Sequence, residues 1–180
     1  MTRFGFYLRA GVFFLVGVAV GTLVMQRTAA QEKSANNGLK LLVVGIAVKD
    51  YPESQKFYEK MMGFKTAFKF SPDGKRTTTY YQMGRDSFLE MQQATPEMPE
   101  GLSHIHLLTD DVTATVARLR QAGLPSSART ATTPGTVTEI GMVQPANVRS
   151  ANVFDPNGIR IELNEWLPES LTKKAMDAWK

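Results

Sequence analysis

"DPNGIRIEL" occupies residues 155–163. Asp-Pro-Asn-Gly is turn chemistry, because proline presets φ and glycine accepts a left-handed backbone. The residues after the turn alternate: Ile159, Ile161 and Leu163 fall on one face of a strand, and Arg160, Glu162 and Asn164 on the other. With "NVRSANVF" (147–154) before it, the stretch predicts two antiparallel strands joined by a tight turn. "SFLEMQQ" (87–93) repeats the pattern, with Leu89 and Met91 opposing Phe88, Glu90 and Gln92. Each of these closing strands carries a carboxylate at its centre.

Outward from them, two matching halves emerge. "LKLLVVGIAV" (39–48) is an apolar, β-branched run that predicts a buried strand. A helix comes next, with Pro52 in its first turn, Gly63 as its stop, and Phe57, Tyr58, Met61 and Met62 on a face expected to join the core. "KTAFKF" (65–70) and "KRTTTYYQM" (75–83) read as strands, and alternation turns only one of Tyr80 and Tyr81 to the face that carries Glu90. After "ATPEMPEG" (94–101) the order restarts: strand "LSHIHLLTD" (102–110), then a helix capped by an aspartate and closed by Gly123, then a strand expected in "SSARTA" (126–131). Superposing Asp50 on Asp111 aligns the two first strands and their helices almost without gaps. The fold class is therefore α+β: two βαβββ modules, residues 39–93 and 102–165. Residues 131–146 are a long, irregular insert. The tail, residues 166–180, predicts an amphipathic helix opened by Pro168, with Leu171, Ala175 and Trp179 recurring on one side.

The only two histidines, His104 and His106, stand two apart on one strand, so both point to the same face of it. Paired βαβββ modules with "VVGIAVKD" and "HIHLLTDDV" as first strands, and "FLEM" and "DPNGIRIEL" as last strands, resemble the vicinal oxygen chelate superfamily. That superfamily includes glyoxalase I, extradiol dioxygenases and bleomycin- and fosfomycin-resistance proteins. The resemblance implies that the modules form a curved mixed sheet around a cleft, with a divalent metal (zinc, nickel, manganese or iron) held by His104, Glu90 and Glu162. The fourth usual ligand position falls on Val43, which cannot ligate. His106 aligns with Gly45 of the first module rather than with a family ligand. From strand geometry it is a fourth donor or a proton acceptor, with Glu90 as the other candidate for catalysis. Arg149 and Arg160 are the candidates for pairing with the inward carboxylates.

The first 30 residues differ from the rest. Arg3 and Arg9 precede an uncharged run from Ala10 to Met25, and Thr28 and Ala30 suit the exit from a signal peptide cut after Ala30. Residues 31–38 read as a flexible linker. Export to the periplasm or outside the cell is expected, or membrane anchoring if the segment stays uncleaved. Residues 1–30 hold three of the 21 basic residues and none of the 17 acidic ones, so the remainder is nearly neutral and carries no basic patch for nucleic acid. Cysteine is absent, which excludes disulfides and thiol catalysis. The expected function is that of an exported, glyoxalase-like lyase or isomerase acting on a small oxygen-rich compound, as a homodimer. The competing expectation is a metal-free module that sequesters a small molecule. Ring-cleaving dioxygenase chemistry ranks lower because of Val43, and a structural role in an envelope assembly ranks lower still.

Overall fold

The computed structural model describes residues 35–180. The expected signal peptide and residues 31–34 of the expected linker lie outside the described residues. Ala35–Gly38 form a 3-10 turn. Strand β1 (Lys40–Val48) opens the first module, followed by α1 (Tyr51–Lys56), β2 (Lys65–Phe70), β3 (Thr78–Gly84) and β4 (Ser87–Gln93). The second module has β5 (Gly101–Leu108), α2 (Val112–Gln121), β6 (Ser126–Ser127), β7 (Thr136–Thr138), β8 (Gly141–Val143), β9 (Val148–Phe154) and β10 (Arg160–Trp166), and α3 (Leu171–Asp177) ends the chain. Among the described residues no helix is long and apolar enough to cross a membrane.

The strands form one mixed sheet in the order β2-β3-β4-β1-β5-β10-β9-β7-β6, with β8 added on β9. The duplication is visible in the pairing. Within each module the first strand runs parallel to the last, β1 with β4 and β5 with β10. The two first strands then meet antiparallel, Val43 opposite His106 and Gly45 opposite His104. The two closing strands with their central carboxylates therefore flank the first-strand pair, and both modules of a single chain contribute to one cleft.

The helices match as well. Asp50 caps α1 by accepting from Glu53 N at 3.0 Å, and Asp111 caps α2 by accepting from Ala114 N at 3.0 Å. Under the first module's sheet, Tyr81, Leu89 and Met91 are buried against Tyr58 and Phe64. On the opposite face Leu42, Val43, Tyr80 and Phe88 form a second cluster, packed by Phe68, Trp166 and Ala175 of α3.

Four expectations are corrected. Met61 and Met62 are not core: they are 68% and 51% exposed. After Lys56 the helix widens into a π turn, Met62 N donating to Phe57 O at 3.0 Å, which sends Tyr58 inward and swings Phe57 and both methionines to solvent. The insert is not wholly irregular, since β7 and β8 both pair with β9. Of "SSARTA" only Ser126–Ser127 is strand, because Arg129 turns away to donate to Ser150 O and Oγ, each at 2.8 Å. The terminal helix begins at Leu171 rather than Pro168, because Ser170 supplies the cap by accepting from Lys173 N, and Trp179 lies beyond the helix and 42% exposed.

Candidate metal centre

Strand alternation delivers the site. On β5, Ser103, Ile105 and Leu107 point one way and His104 and His106 the other, and both rings are nearly fully buried. On β4 the same face carries Phe88, Glu90 and Gln92, and on β10 it carries Arg160, Glu162 and Asn164. From β3, Tyr80 reaches the same cleft while Tyr81 packs below the sheet. These side chains line a cleft of about 230 Å³, roofed partly by Val143, Ala146 and Val148 from the insert region and β9.

At its floor three donor atoms converge. His106 Nε2 lies 2.7 Å from His104 Nε2 and 2.9 Å from Glu90 Oε2, and His104 Nε2 lies 3.6 Å from that same oxygen. Glu162 Oε2 stands 3.8 Å from His104 Nε2 and is the more open carboxylate, its side chain 14% exposed against 4% for Glu90. Of the residues expected as ligands, the structure thus brings His104 and Glu90 into the tight group, with Glu162 at its edge. It draws His106 in as well. Val43 is buried directly across from His106, so the missing first-module position faces the extra histidine.

The surrounding contacts orient these donors. Tyr80 donates to Glu90 Oε2 at 2.6 Å, and Gln92 donates to Glu90 Oε1. With its carbonyl oxygen accepting from His106 Nδ1 at 2.7 Å, Asn164 donates from its amide to Glu162 Oε1 at 3.0 Å. Ser103 Oγ stands 2.8 Å from His104 Nδ1. Each imidazole therefore has its Nδ1 engaged by a fixed partner and turns Nε2 to the centre, as outer partners orient metal-bound histidines. Arg149 is not the carboxylates' partner: it pairs with Glu165 at 2.9 Å, outside the cleft group. The sequence pointed to Asn164 and Gln92 only as polar faces. The hydroxyl of Tyr80 carried no signal beyond its place in an alternating strand.

Charge within the cluster is unevenly spread. Burial pushes the Glu90 carboxyl up, but hydrogen bonding from His104 and His106 outweighs it and holds the group well below the usual carboxylate range. Burial pushes His104 down, only partly opposed by Glu90. Burial also acts to lower His106, yet the Glu162 charge and the Glu90 hydrogen bond raise it above its ordinary value. The two rings are thus shifted in opposite directions, His106 toward holding a proton and His104 toward the neutral form.

The donor set fits a divalent cation. An ion about 2.1 Å from its ligands spaces tetrahedral donors about 3.4 Å apart and octahedral ones about 3.0 Å. The separations here, 2.7 to 3.8 Å, bracket those values. Imidazole and carboxylate together suit zinc, nickel, manganese or iron.

The Glyoxalase/Bleomycin resistance protein/Dioxygenase superfamily model matches residues 40–163. No curated protein sequence matches the chain. Among solved structures it is similar to a hypothetical protein from Bacillus halodurans C-125, at 16% identity and a TM-score of 0.58, over 73% of this chain and 97% of that one. It is also similar to methylmalonyl-CoA epimerase from Mycobacterium tuberculosis, at 20% identity and a TM-score of 0.57, over 72% of this chain and 89% of that one. A halotolerant catechol dioxygenase aligns at 25% identity and a TM-score of 0.52, over 69% of this chain but 39% of its own length.

Proposed function

Since the chain belongs to the Glyoxalase/Bleomycin resistance protein/Dioxygenase superfamily, we propose that it is a divalent-metal-dependent lyase or isomerase acting on a small oxygen-rich compound. The observation that carries this is the convergence of Glu90 Oε2, His104 Nε2 and His106 Nε2 at the floor of an open cleft. Those three residues would hold the ion, which when bound supplies Lewis acidity toward a carbonyl or enediolate oxygen. Glu162 is the residue for proton transfer at the substrate. It is the carboxylate nearest solvent, and Asn164 holds one of its oxygens in place. Glu90 is enclosed by Tyr80, Gln92 and His106, which suits a ligand better than a base. Tyr80 and Gln92 keep its oxygens aimed, and His104 stays neutral through burial.

A second reading, a metal-dependent dioxygenase, draws on one feature. Two histidines and one carboxylate with open positions are the donor set of non-haem iron oxygenases. His106 makes good the donor lost at Val43. Export, with removal of residues 1–30, belongs to the same proposal and rests on the arginine-flanked apolar run. Assembly as a homodimer is part of it too, with the donor cluster drawn from both modules of one chain.

Elemental analysis of the purified, dialysed protein tests the main reading. About one divalent ion per chain is expected, and it should be lost in His104→Ala. Nickel, zinc or manganese supports proton-transfer chemistry. Iron with dioxygen consumption supports the second reading. No metal in either protein after loading leaves a metal-free small-molecule binder.

A further inference from the structure

Arg160 lines the same cleft, two residues before Glu162 on the same face of β10. Among the described residues its side chain makes no ion pair and no hydrogen bond, and its Nε is buried without a partner. The other arginine of the cleft, Arg76, is already paired with Asp73 at 2.7 Å. A buried guanidinium donor left unsatisfied is costly, and charged groups inside proteins are normally paired.

The cleft's charges define what is missing. Glu90 and Glu162 are the cleft's two carboxylates, and a divalent cation held there offsets their formal charge. Arg160 then lines the cleft without a partnering acid among the described residues. At about 230 Å³ that space lies below the roughly 300–1,000 Å³ of drug-sized sites, so the occupant is small.

We infer that Arg160 is the substrate's anion anchor, and that the substrate class is a small carboxylate. The carboxylate accepts from the guanidinium. This deepens the enzymatic reading of the cleft and rests on it for the charge balance, but the binding it demands is measurable without turnover.

Calorimetric titration of the full chain with lactate and with lactamide tests it, since the two differ in the carboxylate's charge. Both the metal-free protein and the nickel-loaded protein are used, and metal content is measured in parallel. Wild type should prefer lactate in both forms, by about tenfold or more in the nickel-loaded protein, where the cation offsets the two carboxylates, and by less in the metal-free protein. Arg160→Gln should abolish the preference in the metal-free protein and leave metal content unchanged, and Arg160→Lys should retain part of it. Equal binding of the two probes, binding of neither, or a preference that survives in Arg160→Gln overturns the assignment. Lost metal binding with an intact carboxylate preference would instead sink the metal-dependent reading and leave the anchor standing.

Discussion

Gly45 lies directly across the first-strand pair from His104, and a Cβ built on it would stand 2.6 Å from both Cε1 and Nδ1 of the imidazole. The ring occupies the space that any other residue at position 45 would fill. Gly45→Ala is tolerated by an extended backbone but must displace His104. Metal affinity should fall by about 10- to 100-fold, the usual cost of disturbing the support of a ligand. The fold should persist by circular dichroism. Unchanged affinity would mean that His104 does not hold the ion.

His106 contacts both other donors, at 2.7 and 2.9 Å. His106→Ala should therefore weaken metal binding strongly, which goes further than the minor effect suggested by its absence from the common ligand plan. His106→Gly, which restores the residue found at the duplicated position, should behave alike. Full metal occupancy in both variants after competition with a chelator would remove His106 from the donor set.

Tyr80→Phe removes one hydrogen bond to a buried carboxylate and keeps the ring packed on Phe68, whose centroid lies 4.6 Å away. The metal-free protein should lose about 1.5–3 kcal/mol in urea unfolding, with an unchanged m value. A loss within error would show that Gln92 and the histidines satisfy Glu90 by themselves.

Burial lowers His106, but the charge of Glu162 and the hydrogen bond to Glu90 outweigh it and raise the group above the ordinary histidine value, so a proton there competes with the cation. Metal affinity should accordingly rise as pH rises through the His106 titration and level off above it. Below that point one proton is released per ion bound, so affinity changes about tenfold per pH unit. Chelator competition across a pH series reads this directly. A flat profile would place the proton elsewhere.

Protein recovered from its native envelope should begin at Gln31 or within a residue or two of it by mass spectrometry. A chain retaining Met1 in a soluble fraction would count against export.

Much of the fold was legible in linear order. Period-2 alternation in "IRIELNE", "SFLEMQQ" and "LSHIHLLTD" assigned three strands and the face of every polar residue on them. The repeated strand, capped helix and closing strand exposed the duplication. Alternation also placed His104 and His106 on one face of their strand, and the family resemblance implied that Glu90 and Glu162 share the site with His104. Strand faces are local properties, written by the geometry of an extended chain, and they survive without knowledge of neighbours.

The identity of those neighbours was decided only in three dimensions. Register across β1, β4, β5 and β10 brings Glu90 to His106, sets Gly45 beneath His104 and leaves Arg160 unpaired among the described residues, while Arg149 goes to Glu165. The exposure of Met61 and Met62 comes from a π turn that shifts the helical phase, and the pairing of the insert comes from an available edge on β9. A side chain's direction is a property of its own backbone. Its partner depends on which distant strand folding lays beside it, and no short-range pattern encodes that choice.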